Sequence, residues 1–154
     1  MSKIKPELIS LESVVIYKSN IITSDEFLNK PVDISNILVQ YAQDTAFNFD
    51  EKAARIRLNI NLQGVDEKDI PLGLTAEYGI EFQFFVENFN DFVTEAENQK
   101  TLNGQLGTIL ISIAYSTARG IILERTHNTY FKGAVLPVID PKGLMSGKFA
   151  SYSK

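Results

Sequence analysis

Alternation of apolar and polar side chains runs through the first ninety or so residues of the chain, and a spacing of three and four replaces it after residue 100. The cleanest alternation is at 54–62. Ile56, Leu58, Ile60 and Leu62 fall on one side, and Arg55, Arg57, Asn59 and Asn61 on the other. That is the period of a half-buried strand. The longest is at 72–88, where Leu72, Leu74, Ala76, Tyr78, Ile80, Phe82, Phe84 and Val86 share one face. Thr75, Glu77, Gly79, Glu81, Gln83 and Glu87 take the other face, broken by Phe85. Fully extended, such a stretch spans about 55 Å, longer than most strands, so a bend or bulge is expected at Gly79. Residues 37–49 alternate through Ile37, Val39, Tyr41, Phe47 and Phe49, and 11–22 is rich in β-branched side chains. Both read as strands. A helical turn beginning at Ser24 and Asp25 is expected between the first two, and a polar turn at 64–69, closed by Pro71, after the third.

Residues 102–125 read as one helix. Leu102, Leu106, Ile109, Ile113 and Thr117 form one stripe; Ile111, Tyr115, Ala118 and Ile122 form a second. Only Arg119, Glu124 and Arg125 are charged. At 1.5 Å per residue the helix is about 35 Å long. With apolar stripes on two sides it needs two partners: its own sheet, and a second subunit or a ligand. Ile111, Tyr115, Ala118, Arg119 and Ile122 are the candidate oligomer interface. Four strands without helical crossovers, followed by a helix, predict an α+β fold in which a four-stranded antiparallel sheet packs against the long C-terminal helix.

Residues 88–100 are acidic and polar and suggest one short helix. Beyond the break at 126–128 lies an apolar segment stiffened by Pro137 and Pro141, which needs a surface to pack on. Pro141 opens a last helical turn. A single domain is expected over 1–145, with 146–154 a polar tail.

Composition narrows the function classes. There is no cysteine, which removes a disulfide scaffold, a thiolate metal site and a thiol nucleophile. The N-terminal residues lack the apolar run of a signal peptide, and no uninterrupted apolar run is long enough for a membrane span, so the expected location is the cytoplasm, without membrane insertion. Net charge is −4. Residues 77–97 hold six acidic and no basic side chains. This argues against nucleic acid and for a basic protein partner. The single histidine, His127, sits beyond the helix among polar neighbours, as surface residues do. No phosphate loop, metal motif or nucleophile elbow is present, and the chain reads as a non-enzyme without cofactor or metal.

Ala118-Arg119, the polar break at 126–129, Phe131, Leu136-Pro137-Val138 and Leu144 together resemble the SecB family of export chaperones. There an Ala-Arg pair in the long helix precedes a crossover loop of the pattern Leu-x-Pro-Val-Asn-Phe-x-x-Leu. Here Pro137-Val138-Ile139-Asp140 replaces the family's Pro-Val-Asn-Phe, Gly120 follows the Ala-Arg pair, and the second long helix is shortened or missing. The pattern is that of a divergent branch.

The resemblance implies a homo-oligomer, dimer or tetramer, acting as an ATP-independent holdase. It would bind unfolded or pre-export polypeptides in apolar grooves and pass them to an export motor ATPase or, in some branches, protect an antitoxin. Phe131, Val135, Leu136, Val138, Ile139, Leu144 and Met145 would supply the client surface, and Glu77 and Glu81, by their strand position, the acidic outer face that the family presents to the motor. Alternatives are a structural or adaptor oligomer of the same fold with closed grooves, and an acyl-thioester enzyme of hot-dog type, for which the sequence gives almost no support.

Overall fold

A computed structural model of the chain describes residues 3–145 and 150–153, with side chains through residue 144. Strands β1 (Ile9–Thr23), β2 (Asn36–Asn48), β3 (Ala53–Val65) and β4 (Pro71–Val86) form an antiparallel sheet in the order β1-β4-β3-β2. The four expected strands and the α+β architecture are thus present. A short helix, α1 (Asp25–Asn29), sits between β1 and β2. The Ser24 hydroxyl caps it by accepting from the Phe27 amide at 3.2 Å, and Phe27 is buried in the core. Capping and the plug together explain why the turn begins at Ser24.

Three expectations change. Residues 88–100 contain a 3-10 turn, Phe89–Phe92, and a hairpin of β5 (Val93–Ala96) and β6 (Gln99–Leu102) in place of a short helix. Glu97 and Asn98 both take positive φ, 51° and 65°, which is what a two-residue hairpin turn with the right twist requires. The break expected at Gly79 lies opposite it, in β1, where Tyr17 is an extra residue between the pairs Ile16↔Ile80 and Lys18↔Gly79, and β1 has a second irregularity between Leu11 and Ser13. β4 is irregular at its start, where Leu72 and Gly73 are extra between the pairs Pro71↔Val65 and Leu74↔Gly64. Lastly, within the expected polar tail, Ala150–Ser153 forms a fifth strand, β7, antiparallel to β2; the rest of that tail, 146–149 and 154, lies outside the described residues.

Helix α2 (Gly104–Arg125) lies over β3 and β4. Asn103 caps it, its side chain accepting from the Gln105 amide at 2.8 Å. Its buried residues are Leu106, Gly107, Leu110, Ile111, Ala114, Tyr115, Ala118 and Ile122. The face expected to meet a second subunit is therefore the one that meets the chain's own sheet. Ile111, Ala118 and Ile122 are at most 1% exposed and Tyr115 is 6% exposed, packed within the chain's own core, while Arg119 stays partly open. Of the other stripe, Ile109, Ile113 and Thr117 stay partly open. By length and composition α2 is apolar enough to cross a membrane; 44% of its apolar stretch is buried inside the molecule, as in a core helix. A short α3 (Pro141–Met145) packs back against α2 and β2.

Candidate functional site

The apolar segment after α2 is organised by one threonine. Thr126, fully buried, caps the helix end. Its hydroxyl donates to the Ile122 carbonyl at 2.7 Å and accepts from the Ala134 amide at 2.7 Å. Its own carbonyl accepts from the Gly133 amide at 2.9 Å and the Thr129 hydroxyl at 2.7 Å. Lys132 and Gly133 reverse the chain with φ of 54° and 86°. The returning segment is then tied along α2. Arg119 donates through Nε to the Leu136 carbonyl at 3.0 Å. The Tyr115 hydroxyl donates to the Pro137 carbonyl and lies 3.0 Å from the Tyr41 hydroxyl on β2. Arg119 thus positions the loop.

This anchoring divides the candidate client surface. Phe131, Leu136 and Leu144 are at most 2% exposed and belong to the core, holding the loop in place. Val135 and Val138 point outward, Val138 at 82% exposure, and Ile139 is half-buried against the core. The side chain of Met145 lies outside the described residues. His127 is exposed at the helix end, as expected.

The candidate acidic face is also reorganised. The acidic run is acidic only along the chain. Across the sheet, Glu77 pairs with Lys18 of β1 at 2.6 Å. Glu81, 16% exposed, accepts from Arg57 Nε of β3 at 2.8 Å and lies 3.9 Å from Arg55 Nε. Arg55 in turn reaches Asp44 of β2 at 3.5 Å. Hydrogen bonds from Lys18 and Arg57, more than the charges behind them, hold the two glutamates below the usual carboxylate range. The outer face is a mosaic of paired charges, and a basic partner would have to compete with Lys18 and Arg57 for these two carboxylates. Among the described residues no group of His, Asp and Glu side chains is arranged to hold a metal ion.

Among the described residues, one open feature is an apolar groove that the strand and helix patterns do not announce. Because α2 covers β3 and β4, the inner face of the edge strand β1 lies uncovered beside it. Leu11 and Val14 on that face are 38% and 39% exposed. Two adjoining clefts run along α2, one beside β1 and one beyond it, between the first turns of α2 and α3. One of about 680 Å3 is lined by Ile4, Gln105, Thr108, Ile109 and Lys142 among others. The other, about 350 Å3, is lined by Ile4, Ile9, Leu11, Phe84, Ile109 and Ile113 among others. They share Ile4 and Ile109. A long cleft walled by aliphatic side chains, with an amide, a hydroxyl and an ammonium at one end, suits an extended apolar chain better than a compact polar ligand. The signal for it was the stripe of Ile109 and Ile113, apolar but absent from the buried side of α2.

The architecture matches a known one. The SecB-like chaperone Rv1957 of Mycobacterium tuberculosis, solved in complex with a ChAD peptide from the HigA1 antitoxin, superposes with a TM-score of 0.59. The match covers 86% of this chain and 91% of that one at 10% sequence identity. The fold is SecB-like. No family model matches the sequence, and no curated protein matches it in sequence either. At this identity the likeness is one of fold; in this chain the loop after α2 is held by Thr126, Arg119 and the Tyr41–Tyr115 pair.

Proposed function

We propose that the protein is an ATP-independent holdase that binds extended apolar segments of unfolded polypeptides. The observation that supports this reading is the open aliphatic groove between α2 and the uncovered face of β1, on a SecB-like fold. A promiscuous client site needs adaptable apolar area more than directional contacts. The partly open Ile109 and Ile113, with Leu11 and Ile9 across the groove, provide such area. In this reading the protein is not an enzyme and works in the cytoplasm. Clients pass to an export motor or, as the neighbour's antitoxin peptide suggests, include an antitoxin.

The reading includes self-association. The buried face of α2 is unavailable for it, whereas β1 is an edge strand of 15 residues with Val15 and Ile22 exposed at 47% and 59%. Natural proteins rarely leave so long an apolar edge unpaired. Pairing of β1 with a second copy would join two sheets into a dimer, and a tetramer would follow from a second contact.

The deciding experiment is dilution of a denatured client into buffer without nucleotide, followed by light scattering. Near-stoichiometric suppression is expected, and Ile109→Asp should abolish it while leaving the circular dichroism unchanged. A folded oligomer that suppresses nothing would favour the second reading, a structural or adaptor oligomer of the same fold. The well-anchored core positions of Phe131, Leu136 and Leu144 are what favour that alternative.

A further inference from the structure

Ile4 lines both clefts of the groove, standing where they adjoin. It is half-buried and packs against the hydrophobic core, whereas Lys3 and Lys5 on either side are exposed. Lys5 is extended, with φ −118° and ψ 109°. The segment therefore presents an extended backbone, an aliphatic side chain in the groove and charged side chains toward solvent. An extended foreign polypeptide would lie in the groove in the same way, its alternate side chains inward.

The segment is weakly held. Among the described residues its one backbone hydrogen bond is local, from the Leu8 amide to the Lys5 carbonyl at 3.0 Å, within the turn that Pro6 opens. Contact with the sheet begins only at Leu8, whose carbonyl accepts from the Glu87 amide at 2.9 Å. What keeps residues 3–5 over the groove is thus the burial of one isoleucine, and any client segment offering a comparable aliphatic side chain can replace it.

We infer that residues 3–5 form a displaceable strap, with Ile4 as a resident competitor for extended polypeptide segments that carry an aliphatic side chain. The identity of the competing partner rests on the holdase reading; occlusion of the groove does not. If the strap is closed in most molecules, the apparent affinity for any groove ligand is reduced by the open fraction. Removing the strap then raises affinity, whereas removing a wall residue would lower it, so the sign of the effect separates the two roles.

The test uses the full chain, with anilinonaphthalene sulfonate as an apolar probe and a permanently unfolded, carboxymethylated protein as client. Ile4→Ser is compared with wild type, and the urea midpoint of each is recorded to exclude a general loosening. A second form, Ile4→Cys with Ile109→Cys joined by a short bismaleimide, closes the strap; the chain has no other cysteine. Ile4→Ser is expected to raise probe and client affinity by about three- to tenfold. The tethered form should bind less of both than its untethered double variant. Unchanged or weaker probe binding by Ile4→Ser, or equal binding by the tethered and untethered forms, would overturn the strap. Stronger probe binding with no client held by any form would leave the strap standing and overturn the holdase reading.

Discussion

The ring of Tyr17 lies over Gly79, in the space a side chain there would fill: a Cβ built on Gly79 would be 2.3 Å from Tyr17 Cε2. The Tyr17 hydroxyl continues across β4 to Asn59 of β3, donating to Oδ1 at 2.8 Å. The bulge in β1 supplies the extra residue, and the glycine supplies the room. Gly79→Ala is therefore expected to displace the ring and destabilise the protein by about 1–3 kcal/mol, as overpacking does. Adding Tyr17→Ala should recover part of that loss, because the two residues are in direct contact. Urea unfolding of the two single variants and the double variant measures the coupling; strict additivity would show that the ring moves aside freely.

Thr126 predicts a second effect on stability. Its hydroxyl serves the Ile122 carbonyl and the Ala134 amide at once, in a fully buried position. Thr126→Val keeps the shape and leaves the Ala134 amide unsatisfied, at a cost of about 1–3 kcal/mol. Thr126→Ser keeps the hydroxyl and should lose much less. Hydrogen exchange at Ala134 locates the damage: its amide should lose protection in the valine variant and keep it in the serine one.

The ion pairs of the outer face predict a pH dependence. Arg57 holds Glu81 below its ordinary value of 4.5 in the folded protein. The unfolded chain therefore binds the proton more readily. The pair contributes stability above about pH 4.5, and that contribution is lost as pH falls through the lowered folded value. Glu81→Gln should reduce stability at pH 7 and flatten the acid side of the stability profile. The urea midpoint between pH 3 and pH 7 reads this directly, and parallel profiles for the two proteins would remove Glu81 from the account.

Much of this fold is legible in local pattern. Ile56 to Leu62 and Leu74 to Val86 alternate because both strands sit under α2, with one face in the core. Arg119, expected at an oligomer interface, donates to the Leu136 carbonyl of the loop, a contact that the helix pattern does not announce. What is not legible depends on which elements become neighbours. Glu77 and Glu81 look like an acidic run until Lys18 and Arg57 arrive from adjoining strands. The two stripes of α2 are equally apolar, and only the sheet decides that Ile111 and Ile122 go in while Ile109 and Ile113 stay at the groove. The positive φ of Glu97 and Asn98 makes a hairpin without the usual glycine, so the sequence carries little turn signal there.

The free edge of β1 leads to a prediction about assembly. If β1 pairs with its copy in a second molecule, charges placed on its exposed apolar positions should block the contact without touching the core. Val15→Lys with Ile22→Lys is expected to convert a dimer to a monomer in sedimentation, with the thermal transition changed mainly through its dependence on concentration. A double variant that sediments with wild type would place any interface elsewhere.

The loop and the groove give the last prediction, because they are the two candidate surfaces for the proposed client. Val138 is the most exposed apolar side chain of the loop, while Ile113 faces the groove from α2. Removing an aliphatic contact from a site that binds by apolar burial weakens binding by roughly 1–2 kcal/mol, about five- to thirtyfold. If clients lie in the groove, Ile113→Ser should show that loss and Val138→Ser should bind as wild type does. The reverse result would move the client to the outer side of the loop. Equal losses would mean that one extended segment spans both, running from β1 past α2 to the loop that Arg119 and Tyr115 hold in place. Titration of a labelled unfolded client against the two variants distinguishes these geometries, and neither substitution touches Thr126 or the core beneath the loop.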